Sequence, residues 1–236
     1  MYSAYADVQA REWLGQNRAA SQEPTLAYEV IARWLPKDRT ARILELGCGD
    51  GTLLSALRSV GYQNAMGVDL SPQAIELSKQ KGLNVEEGDA AGYLTRSSQA
   101  IDCCIAIDFF EHMFKDELLL TLDLIHQRLS DEGVLILRVP NAMTPWMGHY
   151  RHGDLTHEMM FNWRSIGSVL LLCGFKDVLV SEVLMRVHGL KSAARYILWK
   201  AIWSCCALWN LIETGSICGG VYTRNLIATA RKQERQ

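Results

Sequence analysis

The sequence predicts an α/β fold in which short apolar strands alternate with helices around a mostly parallel sheet. The apolar run Ile43–Leu46 ends abruptly in glycines and is followed by a helical pattern at 52–60. The run "AIDCCIAID", which ends at Asp108, is almost continuously apolar, as buried central strands of parallel sheets are. Two later strand patterns, at 133–141 and 175–184, each follow a helical pattern. This alternation favours a sheet covered by helices on both faces.

The composition is that of a globular protein with one domain. The chain has 236 residues, of which 49% are hydrophobic and 21% are charged, enough for one sizeable core. A net charge of −2 gives no electrostatic reason to expect nucleic acid as a partner. The N-terminus lacks the apolar segment of a signal peptide.

The cysteines point to a reducing compartment. Their number, seven, is odd, and no C-x-x-C pair is present. Six lie in apolar runs, where buried free thiols are expected: Cys48, Cys103, Cys104, Cys173, Cys205 and Cys206. We therefore expect a cytoplasmic protein.

A glycine-rich turn follows the first strand. The pattern E-x-G-x-G-x-G contains Glu45, Gly47, Gly49 and Gly51. A dinucleotide site would place a small third residue at position 52, which is Thr52 here. The turn therefore suits a zwitterionic, sulfonium-bearing ligand better than a pyrophosphate.

Three further strand patterns end in acids, at Asp69, Asp89 and Asp108. Together with the glycine turn, and in this order, they resemble the class I S-adenosylmethionine-dependent methyltransferases. The resemblance implies a Rossmann-like, seven-stranded, mostly parallel sheet with helices on both faces. Taken singly, each aspartate is also compatible with a helix cap or a turn.

The resemblance also implies which residues hold the cofactor, S-adenosylmethionine. Glu45 and the glycines would cradle its methionine part, Asp69 its ribose and Asp89 its adenine. Cys48 would contribute its backbone rather than its thiol. The complete implied set is Glu45, Gly47, Cys48, Gly49, Gly51, Asp69, Leu70, Asp89, Ala90, Asp108 and Phe109.

The segment D-x-x-E-H, formed by Asp108, Glu111 and His112, follows the fourth strand. It resembles the E-x-x-E-H segment of the ubiquinone-pathway O-methyltransferases, which implies a divalent cation such as Mg²⁺ on these three residues. As an alternative, His112 is a general base that Glu111 orients. A third interpretation is that Glu111 and His112 cap and pack the next helix.

The segment "GHYRHGDLTHEMMFNW" contains His149, His152 and His157. Their spacing and the lack of cysteine argue against structural zinc. Because ligands of open parallel sheets lie at the carboxyl ends of the strands, we expect an acceptor-binding loop over 141–162 that contributes the base. The candidate catalytic residues are His112, His149, His152, His157 and Glu111. Alternatively, the loop is solvated and has one structural histidine.

An insertion at 185–220 precedes the last strand pattern, 221–232. It contains an amphipathic helix at 191–214 whose apolar part is too short to span a bilayer. The helix packs on the domain as a lid, forms a homodimer interface, or lies on a membrane surface; packing on the domain is the default. One face carries Ile197, Leu198, Ala201, Ile202, Cys205, Leu208, Trp209 and Ile212.

The sequence thus predicts a single methyltransferase domain over 1–236, with an N-terminal helical cap at 1–40 and a cofactor-binding core at 41–140. The apolar helix followed by "TRNLIATARK" resembles the tail of methyltransferases of bacterial surface-polysaccharide assembly. That resemblance implies O-methylation of a small-molecule or lipid-linked sugar, in the cytoplasm or at the inner membrane. The alternatives are methylation of a phenol or quinone precursor, N-methylation, nicotinamide oxidoreduction, and cofactor binding without catalysis.

Overall fold

The computed structural model describes residues 28, 31–183, 187–217 and 220–233, and only the backbone of residue 150. Most of the predicted N-terminal cap lies outside these residues. The strands, in chain order, are β1 (Ile43–Leu46), β2 (Ala65–Asp69), β3 (Val85–Glu87), β4 (Ile101–Ile107), β5 (Leu129–Pro140), β6 (Phe175–Glu182) and β7 (Asn225–Lys232).

The strands form one seven-stranded sheet in the order β3-β2-β1-β4-β5-β7-β6. The first five strands pair in parallel, whereas β7 pairs antiparallel with both β5 and β6. The carboxyl ends of β1 to β6 therefore share one edge of the sheet. The chain runs outward from β1 to β2 and β3 and then crosses back from β3 to β4 on the other side of β1, so the switch point of the topology lies between β1 and β4. The predicted fold class is confirmed.

Seven α-helices follow or precede these strands in the described part of the chain. They are α1 (Thr52–Ser59), α2 (Pro72–Gln80), α3 (Ala90–Arg96), α4 (Lys115–Arg128), α5 (Met147–Gly153), α6 (Trp163–Leu172) and α7 (Leu190–Thr214). A 3-10 turn, Phe110–His112, links β4 to α4.

Two buried clusters occupy the two faces of the sheet. Successive strand residues point to opposite faces, so Leu44 belongs to one cluster and Ile43 to the other. Helices α3, α4 and α6 cover the first face, whereas α1, α2 and the segment 31–35 cover the second. Both sides of the central strands are therefore buried, which explains their continuous apolar sequence.

Three predicted boundaries need correction. The strand expected at 133–141 begins earlier, at Leu129, and residues 130–133 bulge between the pairs Ile101–Leu129 and Cys103–Val134. Ser130 stabilises this bulge by donating a hydrogen bond to Asp102. Within the expected acceptor loop, α5 forms a short helix. The last strand begins at Asn225 rather than at Val221, because the side chain of Asn141 binds the backbone carbonyl oxygens of Val221 and Thr223.

The insertion helix α7 forms as expected, but its packing differs from the default interpretation. Its predicted apolar face is exposed, and the opposite face, which includes Ala207, packs on the domain. Cys205 lies on the exposed face, so the prediction that it is buried is wrong. Cys48, Cys103, Cys104 and Cys173 are buried free thiols.

Candidate active site

The glycine turn joins β1 to α1 at the switch point of the sheet. Gly47, Gly49 and Gly51 have φ values of +69°, +52° and +75°, a region that L side chains rarely adopt. The turn is also tied to β2, because the amides of Gly47 and Cys48 donate to the carbonyl oxygen of Val68. The sequence pattern is therefore needed for this backbone path.

Two of these glycines also lie against neighbouring side chains. A Cβ on Gly47 would come within 2.7 Å of Cδ2 of Phe109, and a Cβ on Gly51 within 2.7 Å of Oγ of Ser78. A Cβ on Gly49 would meet nothing within 4 Å. The turn therefore leaves open space beside Gly49, with the Phe109 ring on one side.

Glu45 is buried under the glycine turn. It is 4% exposed, and no described donor reaches its Oε2 atom. Burial, followed by the nearby carboxylates of Asp69 and Asp50, raises the pKa of Glu45 well above its usual value. A buried acceptor without a donor is rare in folded proteins, and a cationic ligand at the turn would satisfy it. This fits the ammonium group of a methionine moiety.

Asp69 supports the turn from the end of β2. Its Oδ2 atom accepts from the Gly49 amide at 2.8 Å, and its Oδ1 atom accepts from the Ser71 amide at 2.8 Å. Each oxygen has a second lone pair for a ligand hydroxyl. Leu70 beside it is 66% exposed.

Asp89 caps α3 through its side chain, which accepts from the Gly92 amide. A helix cap is the alternative to ligand binding for an aspartate at this position. Asp89 is also exposed, whereas Ala90 is buried. The ribose and adenine roles of Asp69 and Asp89 stay predictions.

Asp108 does not join the expected metal set. Its φ is +51°, and its carboxylate accepts two hydrogen bonds from the guanidinium of Arg138, one of them at 3.0 Å. The amide of Asp108 also donates to the carbonyl oxygen of Arg138. This pair across β4 and β5 holds Asp108 away from the role that the metal hypothesis assigns to it.

His112 is instead held by the acceptor loop. Its Nδ1 atom lies 2.9 Å from Oγ1 of Thr156 and 3.3 Å from the carbonyl oxygen of Thr156. The Thr156 hydroxyl donates its proton to Oδ1 of Asp154 at 2.6 Å. Because both Thr156 oxygens must then accept from His112, we assign the proton of the neutral imidazole to Nδ1 and the lone pair to Nε2.

The surroundings of His112 and Asp154 also set the protonation states of these two side chains. Burial, followed by His157, lowers the pKa of His112 from its usual 6.5, although Asp154 and the Thr156 backbone act in the opposite direction. Burial alone would raise the pKa of Asp154, but the hydrogen bonds from Thr156 and the two histidines lower it. At neutral pH the site therefore contains a neutral His112 and an ionised Asp154.

Glu111 and His157 complete the group around His112. The rings of His112 and His157 are 4.9 Å apart between centroids, and one ligand atom from each of Glu111, His112 and His157 lies within 4.8 Å of the others. Glu111 is 1% exposed, and no described donor reaches its Oε2 atom. Burial, followed by the Asp108 carboxylate, raises the pKa of Glu111 well above its usual value.

The four candidate histidines are thus divided. His112 and His157 lie together, whereas His149 and His152 are exposed on α5 and are not part of this group. Arg151, on α5, donates to the carbonyl oxygens of His157 and Glu158. A direct role for His149 and His152 stays a prediction.

The loop is fastened to the 3-10 turn through its backbone. The amides of Glu158 and Met159 donate to the carbonyl oxygen of Glu111 at 2.8 and 3.0 Å. Sequence reasoning missed Thr156 and Arg138. Arg138 had a signal, since it is the one charge in the apolar run "GVLILRVP", whereas Thr156 had none.

A family model described as "Methyltransferase domain" matches residues 19–180, which is more than half of the chain. Among curated proteins, human EEF1A lysine methyltransferase 2 is 33% identical over 85 residues, covering 33% of this chain and 36% of that protein. Ribosomal protein L11 methyltransferase of Clostridium botulinum is 28% identical over 120 residues, covering 44% of this chain and 38% of that protein. The chain thus spans well under half the length of these relatives.

Among solved structures, an S-adenosylmethionine-dependent methyltransferase from Archaeoglobus fulgidus has a similar fold. The TM-score is 0.66 at 20% identity, over 89% of this chain and 94% of that one. This likeness concerns the fold, while the family match concerns the sequence. The chain belongs to the methyltransferase-domain family.

Proposed function

We propose that the protein methylates a hydroxyl group and that His112 is the general base that accepts the hydroxyl proton. The observation that carries this proposal is the hydrogen-bonded series Asp154–Thr156–His112. A hydroxyl is a weak nucleophile until a base removes its proton, and a positioned base contributes about 10²–10⁴-fold in rate. S-adenosylmethionine, when bound, supplies an electrophilic methyl group on a sulfonium.

The geometry of this series suits a base. Nδ1–H of His112 is directed at Thr156, so the lone pair on Nε2 is the one that can take a proton. The pKa of His112 is lowered, so the ring is neutral and able to accept at neutral pH. When the ring becomes an imidazolium, the ionised Asp154 stabilises it through Thr156 and through its charge.

The cofactor would be held by residues at the same edge of the sheet. Glu45 would accept from its ammonium group, the Gly47–Gly51 turn would pass beside its methionine part, and Asp69 would accept from its ribose. The orphaned Oε2 of Glu45 and the open space beside Gly49 support this assignment.

A sugar or glycan is the acceptor class that we propose. A sugar hydroxyl is far less acidic than a phenol, so its methylation depends most on a base of this kind. Exposed polar groups on α5, among them His149 and His152, lie on the loop above the strand ends and suit a hydroxylated ligand. The exposed apolar face of α7 would suit an acceptor sugar that is attached to a lipid.

A second candidate is cation-dependent methylation of a phenol or quinone precursor. The observation that favours it is the group Glu111, His112 and His157, whose ligand atoms lie within 4.8 Å of one another. A cation such as Mg²⁺ there would keep Glu111 ionised and would activate a phenol oxygen directly. Its ligands would differ from the expected set, because His157 takes the place of Asp108.

N-methylation is a third outcome to be tested. The names of the two curated relatives concern a lysine and a ribosomal protein. An amine acceptor that reaches the site uncharged needs no base. The base series of His112 therefore favours oxygen over nitrogen.

The experiment is transfer of radiolabelled methyl from S-adenosylmethionine into bacterial extracts, separated into lipid-linked, polymeric, protein and small-molecule fractions, with and without EDTA. We expect label in the lipid-linked or polymeric glycan fraction, and no effect of EDTA. Label in small aromatic molecules that is abolished by EDTA would support the second candidate. Label on protein amines would refute O-methylation.

A further inference from the structure

Helix α7 exposes an apolar stripe along its whole length. Its 25 residues extend for about 37 Å. The side chains of Leu190, Trp209 and Ile212 are 92%, 73% and 78% exposed. The exposed apolar positions are Leu190, Ala194, Ile197, Leu198, Ala201, Ile202, Cys205, Leu208, Trp209, Leu211 and Ile212. We call this set the α7 stripe; a continuous patch of this kind marks an interaction site.

The opposite face fixes the orientation of the helix. The indole N–H of Trp203 donates to Oε1 of Glu182 at 2.8 Å and to the carbonyl oxygen of Gly220 at 2.9 Å. The Trp203 ring also makes an edge contact with Tyr222, and Ala207 is buried one turn further on. Because these contacts are on the opposite face of the helix, the α7 stripe faces away from the sheet.

The width of the stripe indicates a flat partner. At about 100° per residue, its members spread over about 180° of the helix circumference, from Leu211 to Ile202. The seam between two helices is narrower, so a second copy of α7 would leave part of the stripe in water. A planar lipid surface would cover all of it.

The charges of α7 complement an anionic surface. The helix carries three cations, Lys191, Arg195 and Lys200, and one acid, Glu213. Lys191 and Arg195 are exposed at one rim of the stripe, in the amino-terminal half of the helix. Glu213 accepts a hydrogen bond from the indole N–H of Trp209 at 3.0 Å. Lysine and arginine beside leucine and tryptophan are the composition of helices that lie in the interface of a membrane.

We propose that the α7 stripe binds the surface of an anionic lipid bilayer, with the helix lying in the plane of the headgroups. No helix in the described part of the chain is long and apolar enough to cross a bilayer. The helix therefore docks on the membrane instead of spanning it.

This docking brings the catalytic edge of the sheet to the lipid surface. Helix α7 leaves β6 and returns to β7 at the edge where the carboxyl ends of β4 and β5 lie. The side-chain amide of Asn141, at the start of the acceptor loop, donates to the carbonyl oxygens of Val221 and Thr223 at 3.0 and 2.8 Å. A membrane-carried acceptor would thus meet the loop directly. That consequence rests on the proposed function, whereas lipid binding itself does not.

Flotation of the full chain with vesicles tests the proposal. We expect the protein to float with vesicles of phosphatidylcholine and phosphatidylglycerol, and less with phosphatidylcholine alone or at high salt. Leu198→Gln and Leu208→Gln should each weaken binding roughly tenfold, because each removes one exposed apolar side chain from the contact. Leu172→Gln, at a leucine 75% exposed on α6, is the matched control and should bind as the wild type does.

Two outcomes would overturn the proposal. One is a wild-type protein that binds S-adenosylmethionine yet stays in the dense fraction with the anionic vesicles. The other is that the stripe binds a second copy of this chain instead of lipid, which a polarity-sensitive dye attached to Cys205 would detect. Membrane docking predicts a blue shift only after vesicles are added, with Cys205→Ser reporting background label. A shift that follows protein concentration without lipid, together with a dimer in light scattering, would identify a homodimer interface.

Discussion

Thr156 holds the Nδ1 atom of His112 at 2.9 Å while giving its own proton to Asp154. The arrangement links a carboxylate to an imidazole through one hydroxyl, which fixes the tautomer of the ring. Asp154 and Thr156 are positioning residues, since they act on an acceptor through His112.

Thr156→Val should lower kcat about tenfold, because it removes one hydrogen bond that orients the base. Binding of S-adenosylmethionine should not change, since Thr156 lies in the acceptor loop. The matched control is Thr95→Val, which removes an exposed hydroxyl bonded to the carbonyl oxygen of Ala91. Equal kcat values for Thr156→Val and wild type would show that Thr156 does not position His112.

The pH dependence of kcat/KM should show an acid limb below the usual histidine pKa of 6.5, because the pKa of His112 is lowered. Activity falls as His112 gains a proton and loses the lone pair. Asp154 raises the pKa of His112, so Asp154→Asn should move the acid limb to still lower pH. A limb that moves to higher pH in Asp154→Asn, or that is absent in the wild type, would contradict the assignment.

Glu111→Gln should stabilise the protein in a pH-dependent way. The pKa of Glu111 in the folded state is raised above 4.5, so the wild type loses stability as the pH rises from 4.5 toward that folded pKa. The slope is at most ~1.4 kcal/mol per pH unit. Glutamine does not ionise, so the Tm of the variant should exceed that of the wild type increasingly across this window.

Thermal unfolding between pH 4 and 8, in EDTA, measures the Glu111 effect. Glu87→Gln, at an exposed glutamate of β3, is the control and should show no growing difference. A constant difference between Glu111→Gln and wild type at every pH would mean that Glu111 is not destabilised by ionisation.

Gly47→Ala should weaken S-adenosylmethionine binding about tenfold. The new methyl group would lie 2.7 Å from Cδ2 of Phe109, at a φ of +69° that costs an alanine ~1–2 kcal/mol. Gly167→Ala, in helix α6 where a Cβ meets nothing within 4 Å, is the control. Calorimetric titration measures both, and an unchanged Kd in Gly47→Ala would show that the cofactor does not depend on this backbone path.

Most of the fold was predictable because it depends on local patterns. The strand Ile101–Ile107 had to be central, since only burial on both faces tolerates so continuous an apolar run. The bulge at 130–133 was not predictable, because four residues of β5 are accommodated through a contact with Asp102, which is distant in sequence. The packing face of α7 escaped prediction for a similar reason: Trp203 reaches Glu182 and Gly220, two partners outside the helix.

The site was predictable where residue type alone sets the chemistry. Glu111, His112 and His157 were among the candidates from the sequence and lie together in the structure, but the sequence did not separate His157 from the exposed His149 and His152. The sequence could not show that Asp108 pairs with Arg138, or that Thr156 lies against His112, because both contacts join segments 30 or more positions apart. Such pairings depend on the register of β4 with β5 and on the path of the loop.

The measurement that tests the account most directly is methyl transfer by His112→Ala to the acceptor labelled by the wild type, with the labelled atom identified after hydrolysis. The account predicts a methyl ether on a hydroxyl oxygen, kcat lower by about 10²–10⁴-fold in His112→Ala, and unchanged cofactor binding. His188→Ala, at an exposed histidine outside the acceptor loop, serves as the control for loss of a histidine. A label on nitrogen, or near-normal turnover by His112→Ala, would contradict it.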